Sequence, residues 1–164
     1  MIGNTGPGDG SGSNKVLRVN SRGEIMDGWN PSLQAEEALN DSDKTFTVPA
    51  GTEWEILTIY VELATTATVG NRQLAIRFTD GSDDIIGQIR AGAVQAASLT
   101  RIYQFGVGLP DLTAFRDTDF LSTPLPDGLV LPAGYKVRIL DKAAIDAAAD
   151  DMDVQMMVRA RLVP

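Results

Sequence analysis

From Phe46 to Phe78 the chain reads FTVPAGTEWEILTIYVELATTATVGNRQLAIRF, and its apolar residues return at every second position. Leu57, Ile59, Val61 and Leu63 fall on one side of that alternation; Thr58, Tyr60 and Glu62 fall on the other. A period of two belongs to a β-strand with one face in a core; a helix would scatter the same residues around its circumference. The phase changes near the start, where Trp54 and Ile56 lie on the opposite parity to Leu57. A β-bulge or sharp bend near Glu55 reconciles the two phases, as where a strand leaves one sheet for another. Ile56 and Tyr60 place apolar groups on the strand's second face, which then needs a loop or another subunit to cover it.

The same pattern continues downstream. Leu74, Ile76 and Phe78 alternate with Gln73, Ala75 and Arg77. Asp80-Gly81 between two apolar runs predicts a hairpin. The aspartates of Asp80–Asp84 also resemble a calcium loop, but the twelfth-position glutamate and flanking helices of an EF-hand are lacking. Strands are predicted at Ile85–Ala91, at Leu99–Phe105 and from Met152 to the end. Between Gly106 and Pro126 three prolines argue against a central strand, while Leu112, Phe115, Phe120 and Leu121 argue against disorder. A loop that long is a lid over the domain or a contact surface. Pro49-Ala50-Gly51 returns as Pro132-Ala133-Gly134, each copy joining a short apolar run to a longer one. Proline fixes φ and glycine accepts a left-handed position, so the two copies predict two similar corners. Asp141–Asp153 is alanine-rich and acidic, which predicts a solvated loop with a short helix.

These signals sum to an all-β chain, an antiparallel β-sandwich of jelly-roll type with about eight strands, occupying residues 44–164. Residues 1–43 read differently, as an extended N-terminal arm. Met1–Asn14 is dominated by Gly, Ser and Asn, which cannot bury enough apolar surface to order alone. Its glycines follow no strand and precede no lysine in the place a phosphate loop requires. Val16–Val19 is a short strand candidate. Asn30-Pro31 predicts the cap and first turn of a short helix running to Leu39. Ile25, Met26, Trp29 and Leu33 are large apolar groups in a polar neighbourhood, suited to plug into a neighbouring subunit.

Composition narrows the chemistry. The chain has no cysteine and no histidine, which removes thiol chemistry and the commonest general base and metal ligand. A net charge of −8 does not seek phosphate backbones or anionic membranes, and no apolar run is long enough to span a bilayer. Met1–Asn14 lacks the basic start and apolar middle of a signal peptide. No cofactor, metal, catalytic group or small-molecule substrate is expected.

Val48-Pro-Ala-Gly-Thr-Glu-Trp-Glu-Ile-Leu followed by Thr66-Ala-Thr-Val-Gly-Asn-Arg-Gln-Leu resembles a pattern of jelly-roll structural proteins of tailed bacteriophages. In kind the chain is most similar to capsid decoration, or cement, proteins. The resemblance covers Phe46 to Asp80 and implies a homotrimer clamped at junctions of the major capsid protein, with an arm reaching to neighbours. It places the protein on the outer surface of the virion after synthesis in the host cytoplasm. The partner-binding residues expected on this reading are Ile25, Met26, Trp29, Leu33, Ile56, Tyr60, Phe115 and Phe120. Two other readings use the same fold. A receptor- or carbohydrate-binding head-fibre or tail module would need exposed aromatics, of which the chain has few. A hydrolase would draw on the aspartates of 141–153 as paired carboxylates.

Overall fold

The computed structural model describes residues 18–19, 25–26, 29–36 and 42–163. Its strands are β1 (Arg18–Val19), β2 (Ile25–Met26), β3 (Asn30–Glu36), β4 (Asp43–Thr47), β5 (Thr52–Ala64) and β6 (Leu74–Thr79). They are followed by β7 (Ile85–Arg90), β8 (Thr100–Val107), β9 (Phe120–Leu125), β10 (Val130–Leu131), β11 (Lys136–Asp141) and β12 (Asp151–Leu162). No helix occurs among the described residues. β1 and β2 pair with each other, and the other strands form two sheets. One runs β3-β12-β5-β8-β9, with β10 beside the start of β5; the other runs β4-β11-β6-β7.

The pairing order defines the topology. Antiparallel partners nest outermost to innermost along the chain: β3 with β12, β4 with β11, β5 with β8, and β6 with β7. β12 then closes on β5 and β11 on β6, so one long hairpin is wrapped into two facing sheets. That is a jelly roll. β9 adds a parallel strand at the β8 edge. Its Pro124 stands opposite Gly106 on an outermost strand, where a missing N–H costs no ladder bond.

The core lies between the sheets. Trp54, Ile56, Ile59, Val61 and Leu63 of β5 face Ile76 and Phe78 of β6 and Val137 and Ile139 of β11. Tyr103, Phe105, Met152, Val154, Met156 and Val158 complete it. Each such side chain removed from water contributes about 1.5–3 kcal/mol. The phase change in β5 is a bulge, placed at Leu57 rather than Glu55. Thr58 pairs with Met157 and Ile56 with Val158, so Leu57 is the extra residue. The bulge turns Trp54 and Ile56 to the same side as Ile59. Ile56 is therefore 1% exposed in the core, which corrects its expected place on a partner-binding face.

The two Pro-Ala-Gly segments sit side by side at one end of the sandwich. Thr52 N–H donates to Pro49 O and Tyr135 N–H to Pro132 O, with Gly51 and Gly134 at positive φ in the third turn position. Val48 N–H donates to Tyr135 O and Gly134 N–H to Val48 O, which ties the corners together. Each corner carries the chain between the sheets, the first from β4 to β5 and the second from β10 to β11.

Two helix expectations are corrected. Residues 30–36 form β3, paired along β12 from Asn30↔Ala160 to Glu36↔Val154, so Pro31 lies in an edge strand rather than a first helical turn. This stretch belongs to the larger sheet and not to a separate arm. Residues 142–150 are turns without a helix, their first N–H groups at Ala143 and Ile145 donating to the Asp141 carboxylate.

Candidate functional site

At the end of the sandwich opposite the Pro-Ala-Gly corners, residues 65–73, 95–99 and 141–150 are joined by a buried polar cluster. Arg72 has no exposed side-chain surface, and its five N–H donors are all used. Nε and one Nη meet both oxygens of Asp150 at 2.7 and 3.0 Å. The other Nη donates to Thr68 O and Gly70 O, and the last donor reaches Thr66 Oγ1. The hydrogen bonds to Asp150 hold the guanidinium pKa above its ordinary value. Asp150 also accepts Thr66 N–H at 2.8 Å. Asp146 accepts the hydroxyls of Thr66 and Thr68, which hold its carboxyl below the ordinary range. Gln95 donates to Leu63 O and Leu99 O and accepts from Tyr103 Oη. The expectation of a solvated acidic loop fails here, because Asp141 and Asp150 are buried and cap backbone N–H groups. This cluster holds three loops in place, and every donor of its arginine is spent on that task.

The 108–119 segment is a lid. Leu112 and Phe115 pack against the core, and Phe115 meets Tyr103 edge-on at 5.5 Å with Arg101 over its ring at 4.7 Å. Phe115 is thus committed within the domain. The lid rests against Gly92, where an added Cβ would run into Leu112 O. Gly92→Ala must push the lid backbone outward and is expected to cost about 1–3 kcal/mol. Denaturant unfolding checks this; unchanged stability would mean that the lid is not seated against Gly92.

Two surfaces among the described residues combine exposure with large apolar groups. The first is the β7 edge, which has no strand partner on its far side among the described residues. Ile85 and Ile86 are 57% and 53% exposed there. Beside them lies a groove of about 300 Å³ lined by Phe78, Ile86, Gly87, Ile89, Pro126 and Leu129, with Gln88 as its polar member. The exposed isoleucines and bare edge follow Asp80–Asp84, which is the predicted hairpin: β6 and β7 pair antiparallel across it. Asp80 accepts N–H bonds from Ser82 and Asp84 within the turn. No group of three metal-ligating side chains gathers among the described residues.

The second surface is the outer face of the larger sheet. Tyr60 stands there between Gln155 and Gln104, and Phe120 lies beside Ile102. Leu33 is 57% exposed opposite Met157 on the same face. Burial, with Glu62, Asp119 and Asp153 nearby, raises the Tyr60 pKa. Trp29 lies under the Arg161 guanidinium at 4.6 Å. The side chains of Ile25 and Met26 lie outside the described residues. Of the eight residues expected to bind a partner, Leu33, Tyr60 and Phe120 thus share one face. Ile56 is in the core and Phe115 in the lid. The sequence reading missed Ile85 and Ile86, although an apolar pair immediately after a hairpin signal could have marked them.

The chain matches no family model and no curated protein. Among solved structures it is similar to a chain in the structure of infectious bursal disease virus, Gx strain. That match has 10% identity and a TM-score of 0.29, over 84% of this chain and 32% of that one. A chain of T=1 particles derived from infectious bursal virus is similar at 13% identity and a TM-score of 0.28, over 82% of this chain and 40% of that one. The chain spans less than half the length of either.

Proposed function

We propose that this chain is a non-catalytic structural protein of a virion, which decorates a tailed-phage capsid and cements it by contact with the major capsid protein. The observation that carries this reading is the β7 edge. It offers backbone groups unpaired among the described residues, two exposed isoleucines and an adjoining apolar groove. An extended segment of a neighbouring protein can add there as a strand, its backbone pairing with β7 and its apolar side chains filling the groove. Left bare, such an edge invites aggregation, so a resident partner also explains its survival. The pattern at Val48–Leu57 and Thr66–Leu74 supports the phage setting. On this reading the protein sits on the outer capsid surface as a homotrimer after synthesis in the host cytoplasm. The role calls for no cofactor, nucleic acid, membrane or small-molecule substrate.

Co-sedimentation with phage heads assembled without the protein tests the reading. The wild-type chain is expected to pellet with heads and to saturate. Ile86→Lys should keep the melting temperature, because Ile86 is half exposed, but bind at least about tenfold more weakly through loss of an apolar anchor. A wild-type chain that stays in the supernatant contradicts the proposal.

A further inference from the structure

The two outer faces of the sandwich carry opposite charge, each built around a like-charged pair on adjacent strands. On the smaller sheet Arg77 of β6 stands directly opposite Arg138 of β11. Both point outward, since their neighbours Ile76, Phe78, Val137 and Ile139 are core residues. Arg90 lies on the same face opposite Ala75, and Arg77 donates to Gln88. Lys136, also on that face, is paired with Asp83 at 2.7 Å. Arg77, Arg90 and Arg138 have no ion pair among the described residues.

On the larger sheet Glu62 of β5 stands directly opposite Asp153 of β12, also facing outward. Asp151 is two residues along from Asp153, and Asp119 lies close enough to Tyr60 to raise its pKa together with Glu62 and Asp153. None of these four carboxylates has an ion pair among the described residues. The other half of that face is neutralised by Arg159–Glu55 and Arg161–Glu53. Like charges set directly across a ladder destabilise a sheet.

We propose that a second copy of this chain supplies the missing partners, its basic face docking on the acidic half of the first copy's larger sheet. Both like-charged pairs span neighbouring strands and so share one spacing of about 5 Å. Two guanidinium groups can therefore meet two carboxylates in register. Guanidinium groups are the strongest side-chain donors to carboxylates at such a contact. The contact is heterologous, a different face from each copy, so it repeats around a ring or along a stack. It deepens the homotrimer of the proposed function and is independent of the capsid contact, which rests on the β7 edge and is read by sedimentation with heads.

Sedimentation velocity on the full chain, at low and high salt, is the test, with two charge reversals. Arg138→Glu sets a carboxylate opposite Arg77, and Asp153→Lys sets an ammonium opposite Glu62. Asp153→Lys replaces repulsion by attraction within the monomer; Arg138→Glu does so towards Arg77 while giving up an attraction to Asp83 in the exposed turn, so both are expected to melt close to wild type, and loss of association is not loss of fold. Wild type should associate at low salt and dissociate as salt screens the contact. Each variant alone should associate at least about tenfold more weakly. Mixed, they should associate again, because Asp153→Lys keeps an intact basic face and Arg138→Glu an intact acidic one. A wild-type chain that stays monomeric at low salt overturns the proposal. So does a variant that associates as wild type does, or a mixture that fails to regain the contact.

Discussion

Arg72→Met is expected to lower stability by about 3–5 kcal/mol, or about 6–20 °C in melting temperature for a domain of this size. The substitution keeps much of the side-chain volume but strands Asp150, which is fully buried and loses both of its guanidinium contacts. Thr68 O and Gly70 O lose their donor as well. The double variant Arg72→Met/Asp150→Leu should recover part of the loss, since no buried charge is then left unpaired. Recovery stays incomplete because Thr66 N–H loses its acceptor. Thermal unfolding of the three proteins checks this. A single variant within about 1 kcal/mol of wild type would show that the cluster is open to water.

Truncation should divide the N-terminal region in two. A chain beginning at Trp29 is expected to keep a cooperative unfolding transition, since β1 and β2 pair with each other and not with either sheet of the sandwich. A chain beginning at Ser42 loses β3 and bares the β12 edge over the run that paired with Asn30–Glu36. Each lost backbone hydrogen bond contributes about 0.5–1.5 kcal/mol net, so several together exceed about 3 kcal/mol. The exposed edge should also promote aggregation. Calorimetry and light scattering on the two truncations separate these outcomes. Equal melting temperatures would mean that β3 contributes nothing to the domain.

The fold was legible where side chains alternate cleanly. Ile59, Val61 and Leu63, or Val154, Met156 and Val158, announce both their strand and its buried face. The Pro-Ala-Gly pair located both corners because positive φ at Gly51 and Gly134 is a local demand. β3 was not legible, since its core-side positions are the polar Asn30, Ser32, Gln34 and Glu36. Edge strands need little apolar patterning, and Asn-Pro is also how a helix starts. The acidic segment misled for a related reason: the partner of Asp150 is Arg72, 78 residues away, and composition carries no trace of such a pair. The last strand outruns the core, as Leu162 at its end is 83% exposed. The charged faces depend on register, because Arg77 and Arg138, or Glu62 and Asp153, become neighbours only once the strands are paired.

Electron cryo-microscopy of heads with and without the added protein tests the central claim, function by contact on a capsid, most directly. Extra density should appear on the outer surface, fitted by the jelly-roll sandwich, with the β7 edge against the shell. Heads that look identical with and without the protein, at concentrations that saturate sedimentation, would contradict it.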